Sequence, residues 1–165
     1  MLPVFLQRED LRLVILGSGE DRYERYFEWL QHTYPSKVCF WRGYNEALAH
    51  RIEAAADLFL MPSRYEPCGL NQLYSLRYGT APLVRSTGGL ADTVAAFDPA
   101  SGRGNGFVFS EFSSDALHRA LAAALQVWRD PKAWSRLVQN AMAADWSWQH
   151  QGPRYVEIYA KLVPA

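Results

Sequence analysis

Five short runs rich in β-forming residues, at 11–16, 37–41, 56–61, 81–85 and 107–109, alternate along the 165 residues with stretches of helical periodicity. A strand, a helix and a second strand return the chain in one direction, so the pattern demands parallel pairing with crossover helices. Such a sheet must be covered on both faces, which gives a Rossmann-like, doubly wound α/β domain. The spacing predicts helices over 21–32, 46–55 and 70–78, a short one near 91–96, and a helical end at 114–129, 131–144 and 149–162. Asn45 fits an N-cap and Pro131 a first helical turn, while Pro153 marks a kink or the start of the last helix. Pro82 suits the beginning of a strand. Residues 98–106, Asp-Pro-Ala-Ser-Gly-Arg-Gly-Asn-Gly, read as a loop. The chain is long enough for one domain with its own core, and no linker or internal repeat divides it.

Composition narrows the partners. A formal net charge of zero argues against nucleic acid or an anionic membrane surface. The apolar runs are strand-length, so no transmembrane span is expected, and charged residues within the first ten leave no visible signal peptide. Cys39 and Cys68 form no CxxC pair and suggest no disulfide framework, which fits a reducing, cytosolic setting. His32, His50, His118 and His150 lie far apart, with no HExxH or DxD pattern, so no metal is expected. Trp128, Trp134, Trp146, Trp148, Tyr155 and Tyr159 crowd the last forty residues. Core packing is expected for most of them, with some left to face a partner.

Ligands of doubly wound sheets bind beyond the carboxyl ends of the strands. Gly17-Ser-Gly19, Tyr44, residues 66–70 and Thr87-Gly88-Gly89-Leu90 are all expected on that edge. The turn at 66–70 stands out, because Glu66 precedes a Cys68-Gly69 turn that opens a helix. The first N–H groups of a helix have no internal partner and form a ready anion site. Gly17-Ser-Gly19 lacks the third glycine of a dinucleotide fingerprint, since Arg22 stands there. It reads as a plain turn or as a point of backbone approach to a nucleotide. Cys68 reads as a small residue in a tight turn rather than a thiol nucleophile.

The stretch Glu66-Pro-Cys-Gly-Leu-Asn-Gln-Leu-Tyr-Ser-Leu-Arg-Tyr-Gly-Thr80, followed by Pro82-Leu-Val-Arg-Ser-Thr-Gly-Gly-Leu-Ala-Asp-Thr-Val94, closely resembles the bacterial glycogen synthase and plant starch synthase family. These are retaining GT-B glycosyltransferases that use ADP-glucose. Leu16-Gly-Ser-Gly19, Gly43-Tyr44, Ala49-His-Arg51, Gly106-Phe-Val-Phe109 and Trp146-Ser-Trp148 match as well. The resemblance covers nearly the whole chain but only the carboxyl-terminal half of the family's enzyme. It therefore implies the nucleotide-sugar lobe of a GT-B fold, transferring glucose to the non-reducing end of an α-1,4-glucan.

By position the resemblance makes Glu66 the catalytic carboxylate on the donor glucose hydroxyls. It gives donor binding to Cys68, Gly69 and Leu70 through their amides, to Asn71 through its side chain, and to Tyr44 against the adenine. Thr87, Gly88 and Gly89 resemble a lysine-glycine-glycine motif without its lysine and are expected to line the cleft, as Gly17 and Gly19 would. Arg64, Arg77 and Arg85 are expected to be scaffold. Tyr74 stands where wider relatives carry a second glutamate. The resemblance implies no metal, a cytoplasmic enzyme or a plastid one, and a missing first strand and first lobe. Alone, the fragment is expected to be inactive and prone to self-association through exposed carboxyl-terminal aromatics. A GT-B transferase using another nucleotide sugar, and a non-catalytic module binding glucan or a partner protein, are the alternatives.

Overall fold

The computed structural model describes residues 1–163. Its elements run α1 (Leu2–Arg8), β1 (Leu13–Gly17), α2 (Asp21–Thr33), β2 (Val38–Arg42), α3 (Glu46–Ala55), β3 (Leu58–Met61), α4 (Asn71–Tyr78), β4 (Ala81–Arg85), α5 (Gly89–Thr93), β5 (Phe107–Phe109), α6 (Ser114–Trp128), α7 (Pro131–Ala143) and α8 (Trp148–Leu162). Every strand pairing is parallel, with Leu13 opposite Val38, Leu58 opposite Ala81 and Leu83 opposite Phe107.

Alternation along the strands sorts side chains onto two covered faces. Leu60, Leu83, Phe107 and Phe109 enter the main core beneath α6 and α7, with Ala116, Leu121, Ala124 and Leu137. Their neighbours Met61, Val84 and Val108 point the other way and pack with Leu90 and Val94 around α5. β4 is central, and Ala81 to Val84 are all buried, as befits a strand covered on both sides.

The ladders are two, not one: β1 pairs with β2, and β3–β4–β5 form a separate three-stranded sheet. The equally apolar strand β3, Leu-Phe-Leu-Met, is only half-buried along its whole length. α1 bridges the two parts, sending Phe5 into the main core and Leu6 into a second cluster with Leu30 and Val38.

Local chemistry fixes most boundaries. Asn45 caps α3, its side chain accepting from the Leu48 amide at 3.0 Å. Asp130 caps α7 by accepting from Lys132 and Ala133, with Pro131 in the first turn. Gly79, at φ +81°, ends α4 in the left-handed conformation. The short helix expected near 91–96 is shifted, and α5 begins at Gly89 and ends at Thr93. Asn105 stops it, because its side-chain oxygen takes the Ala95 amide and its nitrogen donates to the Thr93 carbonyl. Pro153 lies inside α8 rather than at its start. Of the carboxyl-terminal aromatics, Trp128, Trp148, Tyr155 and Tyr159 are exposed and α8 buries no residue, so fewer pack in the core than expected, while the expected exposed aromatic surface is present.

Candidate functional site

Gly17, Tyr44, Glu66 and Thr87 each lie at or just past the carboxyl end of a strand, those of β1, β2, β3 and β4 respectively. The tightest association is between the turn after β3 and the turn after β4. The Gly89 amide donates to the Pro67 carbonyl at 3.3 Å. A side chain at Gly88 would overlap the Glu66 carbonyl, and one at Gly89 would overlap Cys68. Both glycines are therefore demanded by close approach, and Gly88 also by its φ of +47°. The two turns are thus held together backbone to backbone.

Between Glu66 and α4 the backbone offers donors. Among the described residues, the amides of Cys68, Gly69, Leu70 and Asn71 donate to no protein acceptor. Gly69 is left-handed at φ +73°, and Leu70 is the N-cap residue of α4 with no side-chain cap. A helix start without a side-chain cap keeps its partial positive charge available to an anion. Glu66 is half-buried beside these amides in sequence, while Asn71 is exposed. The Cys68 thiol donates to the Gly69 carbonyl at 3.5 Å, which suits a turn residue.

Other predicted residues are placed less tightly. Tyr44, two residues ahead of α3, is 87 % exposed. Gly17 and Gly19 border open space, with no atom within 4 Å of where a side chain would begin. The Gly19 amide is already taken, donating at 2.9 Å to Glu24. Arg85 is scaffold: its guanidinium donates to the carbonyls of Ser63, Arg64 and Ser110 and lies over the Phe112 ring. It thereby fixes the chain leaving β3, just ahead of Glu66.

Sequence reasoning missed two polar groups in this half of the molecule. Glu24 is buried, and its carboxylate joins the Gly19 amide to Arg42, 2.7 Å away, so it braces the turn after β1. Gln72 is wholly buried under the 66–70 turn. Its helical position, two residues after the N-cap and facing inward, was the available signal. A depression of about 430 Å³ lined by Phe109, Ser110, Glu111 and Arg119 contains none of the predicted residues. Among the described residues no three His, Cys, Asp or Glu side chains gather as a metal site, and no helix is long and apolar enough to cross a membrane.

The architecture, parallel α/β with a donor-rich turn at the strand ends, is that of a GT-B glycosyltransferase domain. Residues 3–142 match the family described as glycosyl transferases group 1, and the chain belongs to that family. It is 54 % identical over 163 residues to a glycogen synthase of Anaeromyxobacter dehalogenans (strain 2CP-C), covering 99 % of this chain and 34 % of that protein. A glycogen synthase of Desulforudis audaxviator (strain MP104C) is 53 % identical over 155 residues, or 93 % of this chain and 31 % of that one. The catalytic domain of starch synthase IV from Arabidopsis thaliana, bound to ADP and acarbose, superposes with a TM-score of 0.85. It is 34 % identical and covers 97 % of this chain and 34 % of its own. The chain thus spans about a third of the length of the curated relatives it matches.

Proposed function

We propose that this chain is the donor lobe of an ADP-glucose-dependent glycogen or starch synthase, which transfers glucose with retention to the non-reducing end of an α-1,4-glucan. The observation that carries the reading is the run of unpartnered amides from Cys68 to Asn71, opening α4 immediately after the Glu66 carboxylate. The amides would receive the distal phosphate and the sugar, and Glu66 would hold the glucose hydroxyls. Charge builds on the departing diphosphate during transfer, and preorganised donors aimed at it lower the barrier. Fixing the sugar ring contributes through orientation. Tyr44 would stack on the adenine, and Asn71 would add a polar contact from the first turn of α4.

The chain spans only part of its relatives, so the acceptor groove and further cations are assigned to a first lobe of the whole enzyme. The split between β1 and β3 supports a strand supplied by the same longer protein ahead of α1. On this reading the isolated chain binds donor weakly and elongates no glucan. No metal is assigned, because amides and protein cations neutralise the diphosphate. The bacterial relatives and two free cysteines support a bacterial cytoplasm, with the plastid stroma as the plant-type alternative.

Titrating the chain with ADP-glucose, UDP-glucose and GDP-glucose tests the reading. ADP-glucose should bind best, Glu66→Ala should weaken it while sparing ADP, and EDTA should change neither. Equal binding of all three sugars, or donor binding indifferent to Glu66→Ala, would overturn it. A second reading draws on α8, whose exposed rings suit a glucan or a protein partner. Binding of an oligoglucan unaffected by ADP would favour that one.

A further inference from the structure

We infer that Gln72 is a positioning residue that turns the donor amides of the 68–70 turn outward, an inference that rests on the donor-site reading above. Gln72 has no solvent-exposed surface and lies in the first turn of α4. Its side-chain nitrogen donates at 3.0 Å to the Cys68 carbonyl and at 3.0 Å to the Gly69 carbonyl. Both bonds run back to the turn that precedes its own helix.

The consequence follows from peptide geometry. In a planar trans peptide the C=O of one residue and the N–H of the next point in opposite directions, and this chain has no cis peptide bond. Drawing the Cys68 carbonyl inward therefore sends the Gly69 N–H away from the core. Drawing the Gly69 carbonyl inward does the same for the Leu70 N–H. These are two of the four amides from Cys68 to Asn71 that donate to no protein acceptor among the described residues. One buried carboxamide thus sets the facing of two peptide planes.

The same group ties in the neighbouring turn. Gln72 Nε2 also reaches Thr93 Oγ1 at 3.4 Å, and Thr93 in turn donates to the Gly89 carbonyl at 2.6 Å. Gly69 must stay bare for this to hold, because a β-carbon there would stand 2.5 Å from Gln72 Oε1. Gln72 Oε1 itself is buried without a partner. A buried amide oxygen left unpaired is costly, and a leucine or methionine would fill the space without that cost. The nitrogen's contacts to the turn are what the residue supplies in exchange.

The test uses the 165-residue chain and ADP as ligand. Gln72→Met keeps the volume and removes the donor, so the Gly69 and Leu70 amides lose their fixed facing. The backbone order parameters of both amides should fall, and ADP affinity should fall by about tenfold, the loss of roughly one to two hydrogen bonds. Gln72→Glu supplies the discriminating pH profile. Protonated, the carboxyl can still donate to one carbonyl; ionised, it repels both. ADP affinity of this variant should fall as pH rises through the titration of that carboxyl, while the wild type holds steady across the same range. Should Gln72→Met fail to fold, the Gln72→Glu profile decides alone. Unchanged amide order parameters and ADP affinity in Gln72→Met, or a flat Gln72→Glu profile, would overturn the inference. If the wild type binds no ADP, the donor reading fails separately, and the order-parameter comparison still judges whether Gln72 orients the turn.

Discussion

Gly88 and Glu66 meet backbone to backbone, so closely that a β-carbon on the glycine would occupy the space of the Glu66 carbonyl oxygen. The turn after β4 is therefore the floor on which the turn after β3 rests. Gly88→Ala should introduce left-handed strain and a backbone overlap together, costing at least about 2 kcal/mol. Chemical denaturation would measure this, and a change below about 0.5 kcal/mol would show that the two turns part easily.

Glu53 is buried in α3 with Oε2 unpartnered, and burial pushes its carboxyl above the ordinary value of 4.5 against a smaller lowering by His50. The folded state therefore holds this proton more tightly than the unfolded state does. Stability from this group is present below the ordinary value and is lost as pH rises from 4.5 through the raised folded value. Glu53→Gln should remove that loss, so the variant gains on the wild type as pH increases. Thermal melts at several pH values would check it, and parallel curves for the two proteins would refute the assignment.

Asp130 closes the start of α7 with two hydrogen bonds to backbone amides, at 3.0 and 3.2 Å. Asp130→Ala should cost about 1 kcal/mol, the usual value of a side-chain cap. Asp130→Asn should retain most of it, since an amide oxygen can accept the same bonds. Equilibrium unfolding of the two variants distinguishes capping from charge.

Along α8, Tyr155, Ile158, Tyr159 and Leu162 recur at helical spacing and are all exposed. A face of this kind should drive self-association of the isolated chain at high concentration. Sedimentation velocity should show a concentration-dependent rise in mass that Ile158→Lys suppresses. A monomer at every concentration would count against the face being sticky.

Legibility in the sequence tracked the range of the forces involved. The limits of β4 and β5 and of α3 were read correctly because turn residues and the Asn45 cap act within a few positions. The glycines at 88 and 89 were legible as a turn, whereas the carbonyls they press against lie about twenty residues away and were not. α5 was misplaced because Asn105, distant in sequence, decides where it stops. Glu24 and Gln72 escaped notice for a related reason. Each looks like an ordinary helical polar residue, and only packing reveals that it is buried against a loop. The exposed rings of the last helix were legible, but the share packed in the core was overstated, because ring content does not say which surface will bury it.

Phe5 and Leu6 are adjacent in α1, yet they belong to different clusters, one beneath the three-stranded ladder and one beneath the two-stranded one. With no hydrogen-bonded rung joining β1 to β3, a seven-residue helix carries much of the mechanical continuity between the halves. That makes the seam the place where local opening is expected to begin, with residues 13–42 parting from the larger ladder. If the proposed donor bridges Tyr44 on one side and the Glu66 turn on the other, its binding should act as a staple across that seam.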